Sequence, residues 1–330
     1  MSSPTRRHAL ASLAALPIAL LAPTGAVWAQ SWPSKPLRLV VPFPPGGATD
    51  TSARLIAEHL GRRLGQSVVV DNKPGAATVI GVEAVTKAPA DGYTLLVAGV
   101  GSFSVLPALR SNLPFNVEKD LAPVSLFVST PVVLVTPSTR PFRRLSDFIA
   151  AAKAQPGQLR YATYGAGSAP HLAGEMLAAA AGVDMEPIPY KGAAEAQLAL
   201  LRGDVDLGFE TLSATGAHLK SGKLTGLAVN SAKRSSFVPE LPGMAELGLG
   251  AAAIEAIYGM AAPAGTPAAV LTRLSGEIAE IMALPEVKDR LGALYLEPTA
   301  LGATTMASTV AAETSKYRAV AARAKINLNQ

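Results

Sequence analysis

The apolar positions change period repeatedly along the chain, and each change predicts an element. Leu37–Val41 is a short apolar run rich in β-branched residues and reads as a strand. Pro42-Phe43-Pro44-Pro45-Gly46-Gly47 follows, and its three prolines remove donors that a strand ladder needs. From Thr49 the spacing becomes three and four, so Ala53, Ile56, Ala57, Leu60 and Leu64 mark one face of an amphipathic helix. Thr49 or Asp50 is placed to cap it, since either side chain can accept from a free N–H of the first turn. Residues 68–70 predict a second strand, 71–75 a turn, 76–87 a helix and 94–98 a third strand. That βαβαβ order predicts a parallel sheet with crossover helices. Ligands of such sheets gather outside the carboxyl ends of the strands, and Gly99-Val100-Gly101-Ser102 closes the unit on that side.

Residues 125–136 form a long apolar run that reads as one strand crossing into a second lobe, followed by a helix over 146–154 capped by Ser146. A second strand, glycine loop and helix then occupy 159–164, Gly165-Ala166-Gly167-Ser168-Ala169-Pro170 and 171–181. Ile188-Pro189-Tyr190-Lys191-Gly192 is a third loop, before a helix over 194–201. Strands are predicted over 205–209, ending at Glu210, and over Leu224–Val229. Residues 254–261 are the return crossing, and helices over 267–282, 286–291 and 305–324 close the chain. Two α/β lobes joined by two crossings, each presenting a glycine loop to the other, describe a hinged clamp with a ligand cleft between domains.

The loops bring the candidate chemistry. Gly46 and Gly47 allow positive φ and close approach, and the helix start beyond them supplies unpaired N–H groups at a positive dipole end. Such a loop can receive an anion without Lys or Arg, or can be an ordinary tight βα turn. It is neither a phosphate P-loop nor a dinucleotide fingerprint, for lack of Gly-Lys-Ser/Thr and of G-x-G-x-x-G spacing. Asp50 can meet a ligand ammonium or cap the helix; Glu210 can face the cleft or be a surface carboxylate. Lys191 can neutralise a carboxylate or be solvated. His171 lies three residues after Ser168, yet no orienting acid or G-x-S-x-G elbow accompanies the pair, and it reads first as a packed or water-bound histidine.

Composition then limits the classes. The chain has 330 residues, 49% hydrophobic and 16% charged, enough for about two domains. Arg6 and Arg7, an apolar run over 9–22 and the small residues of Val27-Trp28-Ala29 predict a signal peptide cleaved after Ala29, by Sec or twin-arginine export. The run is too short to span a membrane, which takes roughly 20 residues. A net charge of +5, scattered without aromatic interleaving, argues against nucleic acid. The absence of cysteine excludes thiol catalysis and cysteine-ligated zinc, and no His-x-x-x-His pair suggests another metal. No cofactor motif and no complete catalytic constellation is present, so a hydrolase or isomerase of carboxylates is the weaker alternative to a binding protein.

Eight pieces in order carry a family resemblance: Val41-Pro42-Phe43-Pro44-Pro45-Gly46-Gly47-Ala48-Thr49-Asp50, Asp71-Asn72-Lys73-Pro74-Gly75-Ala76, Asp91-Gly92-Tyr93-Thr94-Leu95, residues 164–171, Pro189-Tyr190-Lys191-Gly192, Gly203-Asp204-Val205-Asp206-Leu207, Gly222-Lys223-Leu224 and Ala262-Pro263-Ala264-Gly265-Thr266-Pro267. The chain resembles the Bug (TctC-like) family, the extracytoplasmic solute receptors of tripartite tricarboxylate transporters. The resemblance implies a type II periplasmic-binding-protein fold, two doubly wound α/β lobes joined by two crossing strands around a cleft. Lobe 1 is expected over 30–131 and 254–330, and lobe 2 over 132–253. It further implies a periplasmic monomer holding a small carboxylate through backbone amides and ordered waters. Its partners would be membrane transporter subunits or, in a signalling variant, a sensor protein. The expected ligand-binding residues are Phe43, Pro45, Gly46, Gly47, Thr49, Asp50, Gly101, Ser102, Gly165, Ala166, Gly167, Ser168, His171, Tyr190, Lys191, Gly192 and Glu210. The sequence departs from the family pattern at Glu210, where aspartate is more usual, at 240–243 and within 165–168. With no dependable Arg, a compact mono- or dicarboxylate is expected over a trianion such as citrate, and an amino acid if Asp50 or Glu210 faces the cleft.

Overall fold

The computed structural model describes residues 32–323, so the predicted signal peptide and its cleavage point lie outside the described residues. The first unit follows the predicted order. Strand β1 (Leu37–Val41) leads into α1 (Ala48–Leu64), β2 (Val68–Asn72), α2 (Val79–Thr86) and β3 (Thr94–Gly99). β1 pairs in parallel with both β2 and β3. α1 buries Ala53, Ile56, Ala57 and Leu60 against the sheet, and each Ile or Leu so buried contributes about 1.5–3 kcal/mol. Gly65 stops it in the left-handed conformation at φ 66°.

After β3 the chain enters a π-helical turn, Gly101–Val105, that runs into α3 (Leu106–Leu109), a helix the apolar pattern did not announce. α4 (Val117–Asp120) then precedes β4 (Leu121–Thr130). The predicted single strand over 125–136 is two strands. Pro131 has no N–H to donate, and it separates β4 from β5 (Val132–Pro137), which belongs to a different sheet. α5 (Leu145–Ala154) starts one residue early: Arg144 holds the N-cap position, and Asp147, not Ser146, accepts from the N–H groups of Arg143 and Arg144.

Strand β6 (Arg160–Thr163), α6 (Ala169–Ala181), β7 (Glu186–Pro189), α7 (Ala193–Arg202), β8 (Gly208–Thr211), α8 (Leu212–Lys220) and β9 (Leu224–Val229) complete the second sheet region. β10 (Ala256–Pro263) returns to the first sheet, and α9 (Ala268–Ala283), α10 (Pro285–Gly292), β11 (Glu297–Gly302) and α11 (Ala303–Arg323) follow. The first sheet runs β11-β4-β10-β3-β1-β2 and the second β8-β5-β9. β6 and β7 pair with each other, and a parallel bridge from Tyr161 to Leu207 ties β6 to the segment entering β8.

Register shows which sheet edges meet the crossings. Gly99, at the end of β3, lies opposite Tyr258 near the start of β10, which in turn lies opposite Val128 near the end of β4. The carboxyl ends of β1 and β3 are therefore on the crossing edge. In the second sheet Val132, at the start of β5, lies opposite Thr211, and Val133 lies opposite both Glu210 and Val229. The carboxyl ends of β6, β8 and β9 share that edge. Asn230 links the two crossings: its N–H donates to the Val132 carbonyl at 2.7 Å and its carbonyl accepts from Ile254 N–H at 2.6 Å.

Candidate ligand-binding site

The first loop, 42–47, is exposed from Pro44 to Gly47. Gly46 has φ 93°, a conformation that favours glycine, whereas Gly47 is extended at φ −78° and is the N-cap of α1. Neither Thr49 nor Asp50 is therefore the cap. Asp50 sits in the first turn and is buried. Its Oδ2 accepts from Gly46 N–H and from Arg54 Nε, both at 2.9 Å, and its Oδ1 accepts from Asn72 Nδ2 at 2.9 Å. Burial pushes this carboxyl up, but the Arg54, Gly46 and Asn72 hydrogen bonds outweigh it and hold Asp50 below the usual carboxylate range. Asn72 also donates to the Phe43 carbonyl at 3.0 Å. Asp50 is thus a brace with both oxygens engaged inside the first lobe. The N–H groups of Ala48, Thr49 and Asp50 take no partner among the described residues, as expected of a first helical turn.

Nearby, residues Ala76, Ala77 and Thr78 have φ of 47°, 52° and 81°, a left-handed run that sequence reasoning read as helix. The run begins at the carboxyl end of β2, which is parallel to β1, so it belongs to the same edge as the first loop. Gly81 fixes its position. A Cβ there would meet Pro42 Cβ at 2.6 Å and the Lys73 carbonyl at 2.9 Å, so α2 docks directly on both loops. Gly75 in the piece Lys73-Pro74-Gly75-Ala76 is the only sequence signal that could have marked this turn.

On the second lobe, Gly165 (φ 96°) and Gly167 (φ 73°) shape the loop before α6. Its groups largely satisfy one another. Tyr164 N–H donates to Ser168 Oγ at 3.1 Å, Gly165 N–H to Thr163 Oγ1 at 3.3 Å and Gly167 N–H to His171 Nδ1 at 2.9 Å. Ser168 occupies the N-cap of α6 but turns its hydroxyl back toward Tyr164. Burial lowers the His171 pKa, only partly opposed by Glu175, and His171 Nδ1 serves the loop as an acceptor. Ala166 is exposed. In the third loop Tyr190 N–H donates to the Thr163 carbonyl at 2.9 Å, Lys191 N–H to Glu195 Oε2 at 2.8 Å, and Gly192 is the N-cap of α7. The Lys191 side chain is exposed. Ser102, buried in the π-helical turn beside Gly101, has a hydroxyl without a partner among the described residues.

Glu210 lies in β8 and is 1% exposed. Tyr164 Oη donates to its Oε2 at 2.7 Å, a contact absent from the predicted residue set. Burial raises the Glu210 carboxyl to about 7 despite that hydrogen bond. Burial and then the Glu210 carboxylate push the Tyr164 phenol well above its usual range, and burial takes Tyr258 up to about 12. Two cavities of about 360 and 380 Å³ lie elsewhere, one beside Phe103, Arg110 and Arg318 and one beside Val100, Ile257 and Lys316; none of the expected ligand-binding residues lines either. No group of His, Cys, Asp and Glu suited to a metal occurs among the described residues.

Comparison with known proteins completes the picture. Residues 52–327 match the family model described as "Tripartite tricarboxylate transporter family receptor". The protein BugT of Bordetella pertussis is 38% identical over 273 residues, covering 82% of this chain and 84% of BugT. The R. palustris protein Rpa4515, solved with adipate, superposes with a TM-score of 0.82 at 32% identity, over 90% of this chain and 99% of that one. The periplasmic binding protein BugD superposes with a TM-score of 0.79 at 32% identity, over 91% and 100%. BugD is a periplasmic binding protein, and the matching family is one of receptors rather than enzymes. This chain belongs to the tripartite tricarboxylate transporter receptor family and has its type II periplasmic-binding-protein fold.

Proposed function

We propose that the protein is a periplasmic receptor that captures a small mono- or dicarboxylate and delivers it to a tripartite tricarboxylate-type membrane transporter. The observation that carries this reading is positional: loops 42–47, 99–102, 163–168 and 189–192 all emerge at the crossing edges of the two sheets. There the first turns of α1, α6 and α7 offer backbone N–H donors at positive helix ends, a receptor for carboxylate oxygens. Arg54 is the cation held at the first loop, and it is spent on Asp50, which favours a compact acid over a trianion. Adipate in Rpa4515 fits the same class. Lobe 1 comprises the segments up to residue 131 and from residue 254 onward and lobe 2 residues 132–253, closing as a monomer over the ligand.

A thermal-shift panel of carboxylates on protein unfolded, stripped of ligand and refolded tests this. At about 100 times Kd, linkage adds roughly 2.7 kcal/mol, enough to raise the midpoint by several degrees. A shift with a neutral sugar or a metal ion, and none with any carboxylate, overturns the reading. Export rests on residues 1–29, and the mature chain is expected to begin at Gln30. Intact mass of periplasmic material checks this, and a mass retaining Met1 contradicts it.

A further inference from the structure

Glu210 is a buried carboxyl of the crossing edge that is only half satisfied among the described residues. Its Oε2 is engaged by Tyr164, while Oε1 is buried and has no partner among the described residues. A buried polar atom left so costs stability and calls for a functional explanation. Among the described residues no cation is paired with it. The elements packed on β8 carry His171 and Glu175 on α6, Glu195 and Arg202 on α7, His218 and Lys220 on α8, and Arg160 and Tyr161 on β6; β5 carries no titratable group. Of these, Glu175 binds Tyr161, Glu195 binds Lys191 N–H and Arg202 binds Asp204. Among the described residues only Tyr164 hydrogen-bonds the Glu210 side chain, and Tyr258 of β10 acts electrostatically on Tyr164.

We propose, resting on the receptor reading above, that Glu210 acts in the cleft as a neutral carboxylic acid whose Oε1–H donates to a carboxylate oxygen of a dicarboxylate ligand, so that ligand and proton are bound together. Burial without a counter-ion favours the uncharged acid. A carboxylic acid held neutral can donate a hydrogen bond to an anion where a carboxylate would repel it. The proton balance is simple: above the titration of the free site, Glu210 takes one proton from solvent when the dianion enters and releases it when the dianion leaves. The free carboxyl titrates at about 7, and the bound dianion moves it higher. Affinity is therefore level below that value and falls as pH rises beyond it, by up to about tenfold per pH unit.

Titration calorimetry with succinate and adipate, in buffers of differing ionisation enthalpy from about pH 5.5 to about 8.5, tests the proposal. Wild type is expected to take up a fraction of a proton per ligand above neutrality and to lose affinity there. Glu210→Gln, always neutral and still a donor, is expected to show neither effect. Tyr164→Phe removes the hydrogen bond that favours the ionised form, so its affinity loss should begin at higher pH. Flat wild-type affinity, proton uptake that persists in E210Q, an unmoved midpoint in Y164F, or affinity that rises with pH would each overturn the Glu210 role while leaving a receptor in place. If neither dicarboxylate binds at any pH while a monocarboxylate does, the role also fails; if no carboxylate binds, the receptor reading fails first.

Discussion

Glu210 and Asp50 are both buried carboxyls at the crossing edge, and opposite surroundings give them opposite titrations. Glu210 rises from 4.5 to about 7 because burial is not offset by charge. Folding therefore weakens as pH climbs from 4.5 to about 7 and is level beyond. E210Q is expected to gain on wild type across that window, by an order of 3 kcal/mol, in urea titrations at a series of pH values. Asp50 runs the other way. Its folded pKa is depressed, so its contribution is present above 3.8 and is lost as pH falls through the lower folded value. Asp50→Asn is expected to cost about 1–3 kcal/mol at neutral pH and little at the acid end. Equal destabilisation at both ends would mean shape, not charge, holds the loop. The two residues were legible only as candidates in the sequence, because burial and the Asn72, Arg54 and Tyr164 contacts come from segments up to 46 positions away.

At the scale of elements, the glycine loops separate into positions that set the backbone and positions that keep space open. Gly46 is at φ 93°, so Gly46→Ala is expected to cost roughly 1–2 kcal/mol. Gly47 has an ordinary φ and nothing within 4 Å of an added Cβ. Gly47→Val should keep a native circular dichroism spectrum and midpoint yet weaken carboxylate binding about a hundredfold, the loss of two charge-assisted bonds. Unchanged affinity would place the anion elsewhere. Gly81→Ala is different again, since its methyl would strike Pro42 and the Lys73 carbonyl and push α2 off both loops. A loss of about 1–3 kcal/mol is expected in a thermal melt. Periodicity found α1, α6 and α7 because each buries one apolar stripe. It missed the left-handed turn at 76–78, the π-helical turn at 101–105 and β11, where neighbours override local preference. It also ran β4 into β5, because both are apolar and only Pro131 marks the change of sheet.

Across the whole molecule, the order of elements was readable from the alternation of short apolar runs and amphipathic stretches, and the eight family pieces fixed the fold. What stayed hidden was which core each closing helix serves. α11 buries Met306 and Val310 with Val40, Leu96 and Ala261 of the first sheet's core. Its later turns bury Tyr317, Val320 and Ala321 with Phe148, Tyr161 and Met176 beside the second. The turn after β3 divides in the same way, Phe103 and Leu106 joining the first cluster and Val100, Val105 and Leu109 the second.

That double anchorage of α11 sets a condition on the order in which the chain can be completed. The segment carrying β5 through β9 is continuous, yet the apolar surface beside Phe148 and Tyr161 is covered by residues made before it and by residues made at the very end. A nascent chain released only as far as β11 therefore holds that surface without Tyr317, Val320 and Ala321. The core of the middle segment is thus expected to be complete only once α11 has been made.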